Sequence, residues 1–413
     1  MSEPLGRPRR KNPLAKTRLP LLPPGLRSRT AHGLTAAAAE GRFALQVCSD
    51  CSLVIYPPRD ACPGCLSARL PYREVDPSGT LVVETTVRIA TEQYFRERAP
   101  WRIGTVKLDA GPILVVHLHA DVTEGGRVRV ALKLDKSGAA VAIALPETET
   151  LNMQDDPQLR EMTCDPKFRC VLITDGRSAV GQAMAKALSV AGATAVFVGV
   201  AEPWKPFIGL DLLRSLARVE IVPLDVTDSE SVAMQARQNG GRIDIVINTA
   251  EHVRPGGIMA RHGVATAREE MDVRYFGLMR LAQAFGPAMA ARGADGSNSA
   301  TAFVNLLSVY ALMNWPTYGA YSAAEAASLS ASQCLRTELR SAGVKVINVF
   351  FGPLEIDWFQ TAPPPKVTPR ALAEAVLGAL KDGLEDVFVG DVATEMRARL
   401  AVNPKALERE LAG

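Results

Sequence analysis

The stretch Val171-Leu172-Ile173-Thr174-Asp175-Gly176-Arg177-Ser178-Ala179-Val180-Gly181 decides how this chain is read. An apolar run ends at a threonine, a turn of small residues follows, and Val180–Ala191 has the spacing of a helix. From Phe168 onward the unit recurs. Apolar strands at Cys170–Thr174, Thr194–Val198, Ile243–Asn248, Ala302–Leu307 and Val344–Phe350 alternate with helical segments. A last strand, Asp386–Gly390, precedes a helix near Thr394–Leu411. That alternation predicts an α/β fold, a doubly wound parallel sheet covered by helices on both faces.

Upstream the pattern differs. Thr80–Ile89, Ile103–Leu108, Ile113–Ala120, Arg127–Leu134 and Ala139–Leu145 are Val/Ile/Leu-rich runs separated by Gly, Asp and Pro signals, which predicts a small β-barrel. Between the two patterns, Pro146–Lys167 is polar, holds Pro157 and Pro166, and reads as a linker. A chain of 413 residues is too long for one ordinary core, so two folded parts are expected. With 47% hydrophobic and 22% charged residues it has a globular composition. The net charge of +3 leans on residues 1–30, which hold eight Arg or Lys against Glu3 alone. Composition makes that segment a solvated tail, and a sharper reading is an arm across a partner subunit. The near-neutral remainder gives no case for nucleic acid or an anionic membrane surface. No apolar run reaches the roughly 18 residues needed to cross a bilayer, and no cleavable leader is evident, so a cytoplasmic location is expected.

Cys48-x2-Cys51, ten intervening residues, then Cys62-x2-Cys65 predicts a structural zinc site, since two such knuckles complete a closed tetrahedron of thiolates. Two disulfides or an iron site are the competing readings. His117 and His119 alternate onto one strand face, with no third metal ligand in sight. Tyr94, Phe95, Arg96, Arg98, Trp101 and Arg102 form an aromatic-basic cluster, which reads either as an ordinary loop or as a surface for the adenine and phosphates of coenzyme A.

Two resemblances sharpen these readings. Gly41-Arg42-Phe43, the paired cysteines, Tyr56-Pro57-Pro58-Arg59 and Trp101–Gly111 resemble the zinc-ribbon/OB-fold proteins that accompany thiolases and other acyl-CoA enzymes. That resemblance implies a partner module docking on a thiolase-like subunit, with acyl-CoA a further candidate ligand. The C-terminal part is similar to the short-chain dehydrogenase/reductases, a Rossmann-like family. There a Gly-rich turn holds the dinucleotide, and a Ser…Tyr-x-x-x-Lys set performs hydride transfer. By this resemblance Thr174, Asp175, Gly176, Ser178, Val180, Gly181, Asp225, Val226 and Asn248 occupy the cofactor positions, and Ser308 and Tyr321 the catalytic ones. The implied division of the chain is a tail at 1–30, a helix and zinc ribbon at 31–76, an OB fold at 77–146, a linker at 147–167 and the dehydrogenase-like domain at 168–413.

The departures matter as much as the matches. Glu325 stands where the family's lysine lowers the tyrosine pKa, and Arg274 stands at the catalytic asparagine. Asp175 and Ala179 replace two loop glycines; Asp175 is expected to cap the following helix in place of a phosphate. Asn248-Thr249-Ala250-Glu251 departs from the family's N-N-A-G. No lysine occurs between Lys205 and Lys345, so none rescues the site, and Arg274 is expected to pair with Glu325. These losses argue against NAD(P) binding and for a pseudoenzyme. The expected role is a scaffold that meets a thiolase and an active dehydrogenase paralogue, or a second copy of itself, through two long helices near 265–290 and 318–342. The alternatives are a working NAD(P)-dependent 3-hydroxyacyl-CoA dehydrogenase using Ser308 and Tyr321, and a nucleic-acid-binding OB protein.

Overall fold

The computed structural model describes residues 3–6, 21–293 and 299–411, so most of the basic tail lies outside the described residues. The chain divides into two compact units, built mainly from Leu21–Asp165 and from Pro166–Leu380 with Glu385–Gly413.

In the first unit, helix α1 (His32–Ala39) precedes three antiparallel strands, β1 (Ala44–Val47), β2 (Val54–Ile55) and β3 (Tyr72–Glu74), ordered β2-β1-β3. One cysteine pair lies in each connection of this small sheet. The barrel follows: β4 (Ser78–Val87), a helical turn α2 (Gln93–Arg96), β5 (Trp101–Leu108), β6 (Ile113–Leu118), β7 (Arg127–Leu134) and β8 (Ala140–Pro146). It is closed in the order β4-β5-β6-β8-β7. Strand periodicity sends Val128, Val130, Leu132 and Leu134 of β7 inward, where they join Leu81, Val106 and Leu114 and, from α1, Leu34 and Ala37.

Residues 147–167, expected to be a linker, carry a helical turn α3 (Pro157–Arg160) capped by Asp156, whose carboxylate accepts from the Leu159 amide at 2.7 Å. Leu159 and Met162 pack with Trp101 and Ile143, and the Gln158 amide exchanges two hydrogen bonds with the Arg102 backbone, at 2.8 and 2.9 Å. Two apolar anchors in a polar stretch are too few to register as periodicity, so this docking has no signature in the sequence.

The second unit is a seven-stranded parallel sheet ordered β11-β10-β9-β12-β13-β14-β15. Its elements run β9 (Cys170–Ile173), α4 (Ala179–Val190), β10 (Ala195–Val200), α5 (Leu210–Ser215), β11 (Val219–Pro223), α6 (Ser229–Asn239) and β12 (Ile245–Asn248). There follow α7 (Ala265–Met271), α8 (Gly277–Ala291), β13 (Ala302–Ser308), α9 (Gly319–Arg340), β14 (Lys345–Phe351), α10 (Pro369–Asp382), β15 (Asp386–Val389), α11 (Gly390–Val402) and α12 (Pro404–Leu411). Strand order reverses between β9 and β12, so the crevice beyond the carboxyl ends of these strands is where this topology places ligands.

Two helices differ from expectation. The helix expected near Thr394–Leu411 is two helices, because Pro404 has no amide hydrogen and forces Asn403 into an extended conformation (φ −156°). The first of the two long helices is interrupted: a π-turn, Asp272–Phe276, separates α7 from α8 and carries the buried Arg274. Such turns are rare and tend to mark functional positions.

Candidate functional site

The turn between β9 and α4 is built from the residues the sequence singled out. Thr174 Oγ1 donates to Asn248 Oδ1 at 3.0 Å and accepts from the Thr249 and Ala250 amides at 2.9 and 3.1 Å, tying β9 to β12. Gly176 and Gly181 sit at crossings where a side chain has no room. A Cβ on Gly181 would lie 1.8 Å from the Asp175 carbonyl oxygen, and one on Gly176 would lie 2.2 Å from Val198. Ser178, not Asp175, caps α4: its Oγ accepts from the Gly181 amide at 3.0 Å. Asp175 stands three residues too early for that role, and its Oδ1 accepts from the Arg177 amide at 2.9 Å. Burial pushes the Asp175 carboxyl above its usual range, against the amides of Arg177 and Ser178. Val180 is buried in the first turn of α4. Asp225 folds back on Thr227, accepting from its amide and hydroxyl at 2.8 and 2.7 Å, while Val226 is buried beside Gly277.

The centre of the crevice is a closed set of charges. Glu325 on α9 and Arg274 on the π-turn form an ion pair, with the glutamate 0% and the arginine 2% exposed. The second Glu325 oxygen accepts from the Ser308 amide at 2.6 Å. Arg274 also donates to the carbonyls of Ala250 and Leu306, both at 2.6 Å, so the guanidinium spans the ends of β12 and β13. Burial works against the arginine's charge, yet Glu325 and its neighbours hold it firmly protonated. Burial likewise raises the Glu325 carboxyl, and Arg274 opposes the rise.

Tyr321 is fully buried, and its hydroxyl donates to Glu251 Oε1 at 2.7 Å. Burial first, then the charges of Glu251 and Glu325, push this phenol well above its ordinary value of about 10. Ser308 Oγ accepts from the Tyr310 amide at 3.3 Å and lies 3.5 Å from the Phe351 carbonyl. Around them packs an aromatic cluster: Tyr310, Tyr318 and Phe359 lie 6.4, 6.5 and 6.2 Å, centroid to centroid, from the Tyr321 ring. Phe359 belongs to the short segment Trp358–Lys366, which Lys366 pins by donating to the Phe359 carbonyl at 2.7 Å. A phenol that already donates to a carboxylate, ringed by aromatics, is poorly placed to exchange protons with a substrate.

Burial raises the Glu251 carboxyl as well, with Arg274 the main opposing influence. A carboxyl whose folded pKa exceeds its unfolded value binds more protons in the folded state. Its contribution is therefore complete below the unfolded value, near 4.5, and is lost as pH rises through the raised one. Urea unfolding across pH 4–8 is expected to show this decline, and Glu251→Gln is expected to flatten it.

The four cysteines converge in the first unit. Their sulfurs all lie within 4.8 Å of one another, with Cys48–Cys65 and Cys51–Cys62 separated by 3.5 Å. Bonded sulfurs would stand about 2.05 Å apart, whereas Zn–S bonds of about 2.3 Å fit this spread. Amides of Asp50 and Gly64 donate to Cys48 and Cys62 Sγ, each at 3.4 Å. The donor set fits a structural zinc ion held by Cys48, Cys51, Cys62 and Cys65. Among the described residues these four are the only cluster of this kind. The histidines are committed elsewhere: His119 Nε2 lies 2.9 Å from the Met153 carbonyl, and His117 Nδ1 accepts from Trp101.

Comparison with known proteins agrees with this division. Residues 169–365 match the family described as short chain dehydrogenase. A short-chain dehydrogenase of Penicillium ochrochloron, ptmH, is 32% identical over 200 residues, covering 47% of this chain and 68% of that protein. The chain belongs to the short-chain dehydrogenase family. Ahead of that domain, residues 35–71 match the rubredoxin-like zinc ribbon domain of ChsH2, and residues 72–133 match the ChsH2 C-terminal OB-fold domain. A second relative, short-chain dehydrogenase PC-15 of Penicillium crustosum, is 35% identical over 161 residues, covering 36% of this chain and about half (54%) of its own length. Among solved structures, a short chain dehydrogenase of Burkholderia cenocepacia J2315 in complex with NADP is 31% identical, with a TM-score of 0.53 over 59% of this chain and 98% of that one.

Arg274 and Glu325 pair as the sequence predicts, whereas the contact of Glu251 with Tyr321 is not foreseen from the sequence. The departure from N-N-A-G was visible, yet nothing in the sequence aimed that carboxylate at Tyr321. The aromatic-basic cluster of the OB domain divides on inspection. Arg102 is turned onto the carbonyls of His119, Ala120 and Val122 at 2.9, 3.0 and 2.8 Å, and Arg98 lies over the Tyr94 ring beside Glu161. Both are internal braces; Arg96 is exposed and donates to the Ala90 and Thr91 carbonyls at 3.1 and 2.7 Å, while the rings of Tyr94, Phe95 and Trp101 line a cavity.

Proposed function

We propose that this chain is a non-catalytic or weakly catalytic subunit of an acyl-CoA-processing complex of β-oxidation type. Its zinc-ribbon and OB domains meet a thiolase-like subunit, and its dehydrogenase domain contributes a fold more than a hydride transfer. One observation carries the reading: the buried ion pair of Glu325 and Arg274 stands where the family's lysine and asparagine act. An anion there raises the barrier to a tyrosinate, and the hydroxyl that should move a proton is held by Glu251. Function must be argued from the site, and this fold persists without it. An active dehydrogenase paralogue, or a second copy of the chain, is the expected partner along α8 and α9. Joining the modules keeps dehydrogenation and thiolysis of one acyl-CoA at high effective concentration.

A second reading, an NADP-dependent 3-hydroxyacyl-CoA dehydrogenase using Ser308 and Tyr321, draws on the NADP complex of the Burkholderia relative. Glu202, just beyond β10, pairs with Lys205 at 2.6 Å and lies 3.9 Å from Arg177 of the β9–α4 turn, so a 2′-phosphate would have to displace this carboxylate from its two cations. A hydride-transfer assay with a panel of 3-hydroxyacyl-CoA thioesters and either nucleotide separates the readings. No turnover by the chain alone, together with stoichiometric co-purification with a co-expressed thiolase, is the expected result. Turnover at rates ordinary for an enzyme, about 1 s⁻¹ or more, overturns the proposal.

A further inference from the structure

The OB barrel unit contains a cavity of about 180 Å³ walled by Tyr94, Phe95, Trp101, His117 and Val141. Its rings meet edge to face, with Phe95 and His117 lying 5.3 and 5.5 Å from Trp101, centroid to centroid. Size limits the occupant. A protein cavity of about 150 Å³ takes up benzene, so this one suits a single ring or a fused pair and excludes a steroid or a long acyl chain.

Two polar atoms give the cavity direction. Trp101 Nε1 donates to His117 Nδ1 at 2.8 Å, which requires a lone pair on that nitrogen and therefore a neutral ring with its proton on Nε2. Burial, aided by Arg27, pushes the imidazole down to about 4 and keeps it neutral at physiological pH. Asp135 also lines the cavity and is 7% exposed. Its Oδ1 holds the hairpin between β7 and β8, accepting from the Ser137 amide and hydroxyl and from the Ala139 amide at 2.8, 2.6 and 3.0 Å. Its Oδ2 is buried without a hydrogen-bond partner. Arg27 stands 3.7 Å away, close enough to balance the charge but too far to donate, and its other nitrogen serves the Pro24 and Leu26 carbonyls at 2.7 and 3.0 Å. A buried acceptor left open in this way calls for a donor.

We propose that this cavity binds a planar heteroaromatic ring carrying an amino group beside a ring nitrogen, the edge that adenine presents. The amino group donates to Asp135 Oδ2, the ring nitrogen accepts from His117 Nε2, and the Phe95 ring covers one face while Trp101, set edge to face against it, closes the side. The inference stands on the barrel alone and does not require the scaffold reading. A free adenine nucleotide and the adenosine end of coenzyme A offer the same edge.

Calorimetric titration of the full-length, zinc-loaded chain with adenosine, inosine, AMP and coenzyme A tests it. Inosine exchanges the amino donor for a carbonyl acceptor, so it is expected to bind about tenfold or more weakly than adenosine. Asp135→Asn can keep the hairpin bonds through its amide oxygen while turning the open acceptor into a donor. It is expected to weaken adenosine about tenfold and to erase its advantage over inosine, whose carbonyl gains a donor while its N1–H still opposes His117 Nε2–H. AMP matching adenosine, with coenzyme A no tighter, assigns the site to free nucleotides; coenzyme A tighter by about tenfold or more assigns it to the coenzyme. Absence of adenosine binding up to about 5 mM, or equal affinity for adenosine and inosine in the unaltered protein, overturns the proposal. That contrast decides even where the Asp135 variant folds poorly.

Discussion

Glu325→Lys, which introduces the lysine that the family resemblance implies at this position, is expected to destabilise the dehydrogenase domain and not to awaken it. The new ammonium would face the Arg274 guanidinium at a position with no exposure, and the Arg274 Nε and the Ser308 amide would lose their acceptor. Removing one partner of a buried pair costs about 3–5 kcal/mol because the remaining charge is left unanswered, and a like charge adds to that. Urea unfolding should report the loss as a lower midpoint with little change in slope. Arg274→Asn, made together with Glu325→Lys, removes the repulsion and installs the pair that the family resemblance implies. The double variant is expected to be more stable than the lysine variant alone, a coupling of about 1–3 kcal/mol that a double-mutant cycle reads directly. Activity should still be missing, since Glu251 continues to hold the Tyr321 hydroxyl.

The zinc ribbon gives the other large effect. Its three strands hold only two to four residues each; Ala44 and Leu45 of β1 pack into the barrel core, but the cysteine end has only Cys48, Ile55, Cys62 and Leu70. A core of that size does not hold a fold without a metal or disulfides. Structural zinc contributes roughly 10–16 kcal/mol in small ribbons, so chelation is expected to unfold the two cysteine knuckles. Hydrogen exchange should lose protection between 48 and 70 while Ala44 and Leu45, packed in the barrel core, and strands β9 to β14 keep theirs. Metal analysis should return one zinc per chain, and Cys62→Ser should lower both zinc content and ribbon protection.

Legibility in the sequence followed physical scale. The alternation of β9 through β15 with helices, and the two cysteine knuckles, rest on short-range periodicity and spacing, which one sequence carries well. The barrel strands were legible for the same reason. Features that depend on a few long-range contacts were not. The docking of Leu159 and Met162, the reach of Glu251 to Tyr321 and the inward turn of Arg102 are settled by packing across 70 residues or fewer of intervening chain, with no local signature. The cap of α4 was misassigned because a carboxylate in a phosphate-binding turn looks like a cap from sequence alone. Backbone geometry gives that place to Ser178, whose extended conformation (φ −73°, ψ 147°) brings its hydroxyl to the third helical amide. The π-turn at Asp272–Phe276 likewise has no sequence signal, yet it carries the buried Arg274.

Titration of the purified, zinc-loaded chain with NADPH, followed by fluorescence and calorimetry, tests the central claim most directly. If Glu325, Arg274 and Glu251 close the dehydrogenase site, no saturable binding is expected below about 1 mM, a gap of several kcal/mol from an ordinary cofactor affinity. Micromolar binding accompanied by hydride transfer to a 3-oxoacyl thioester would contradict it.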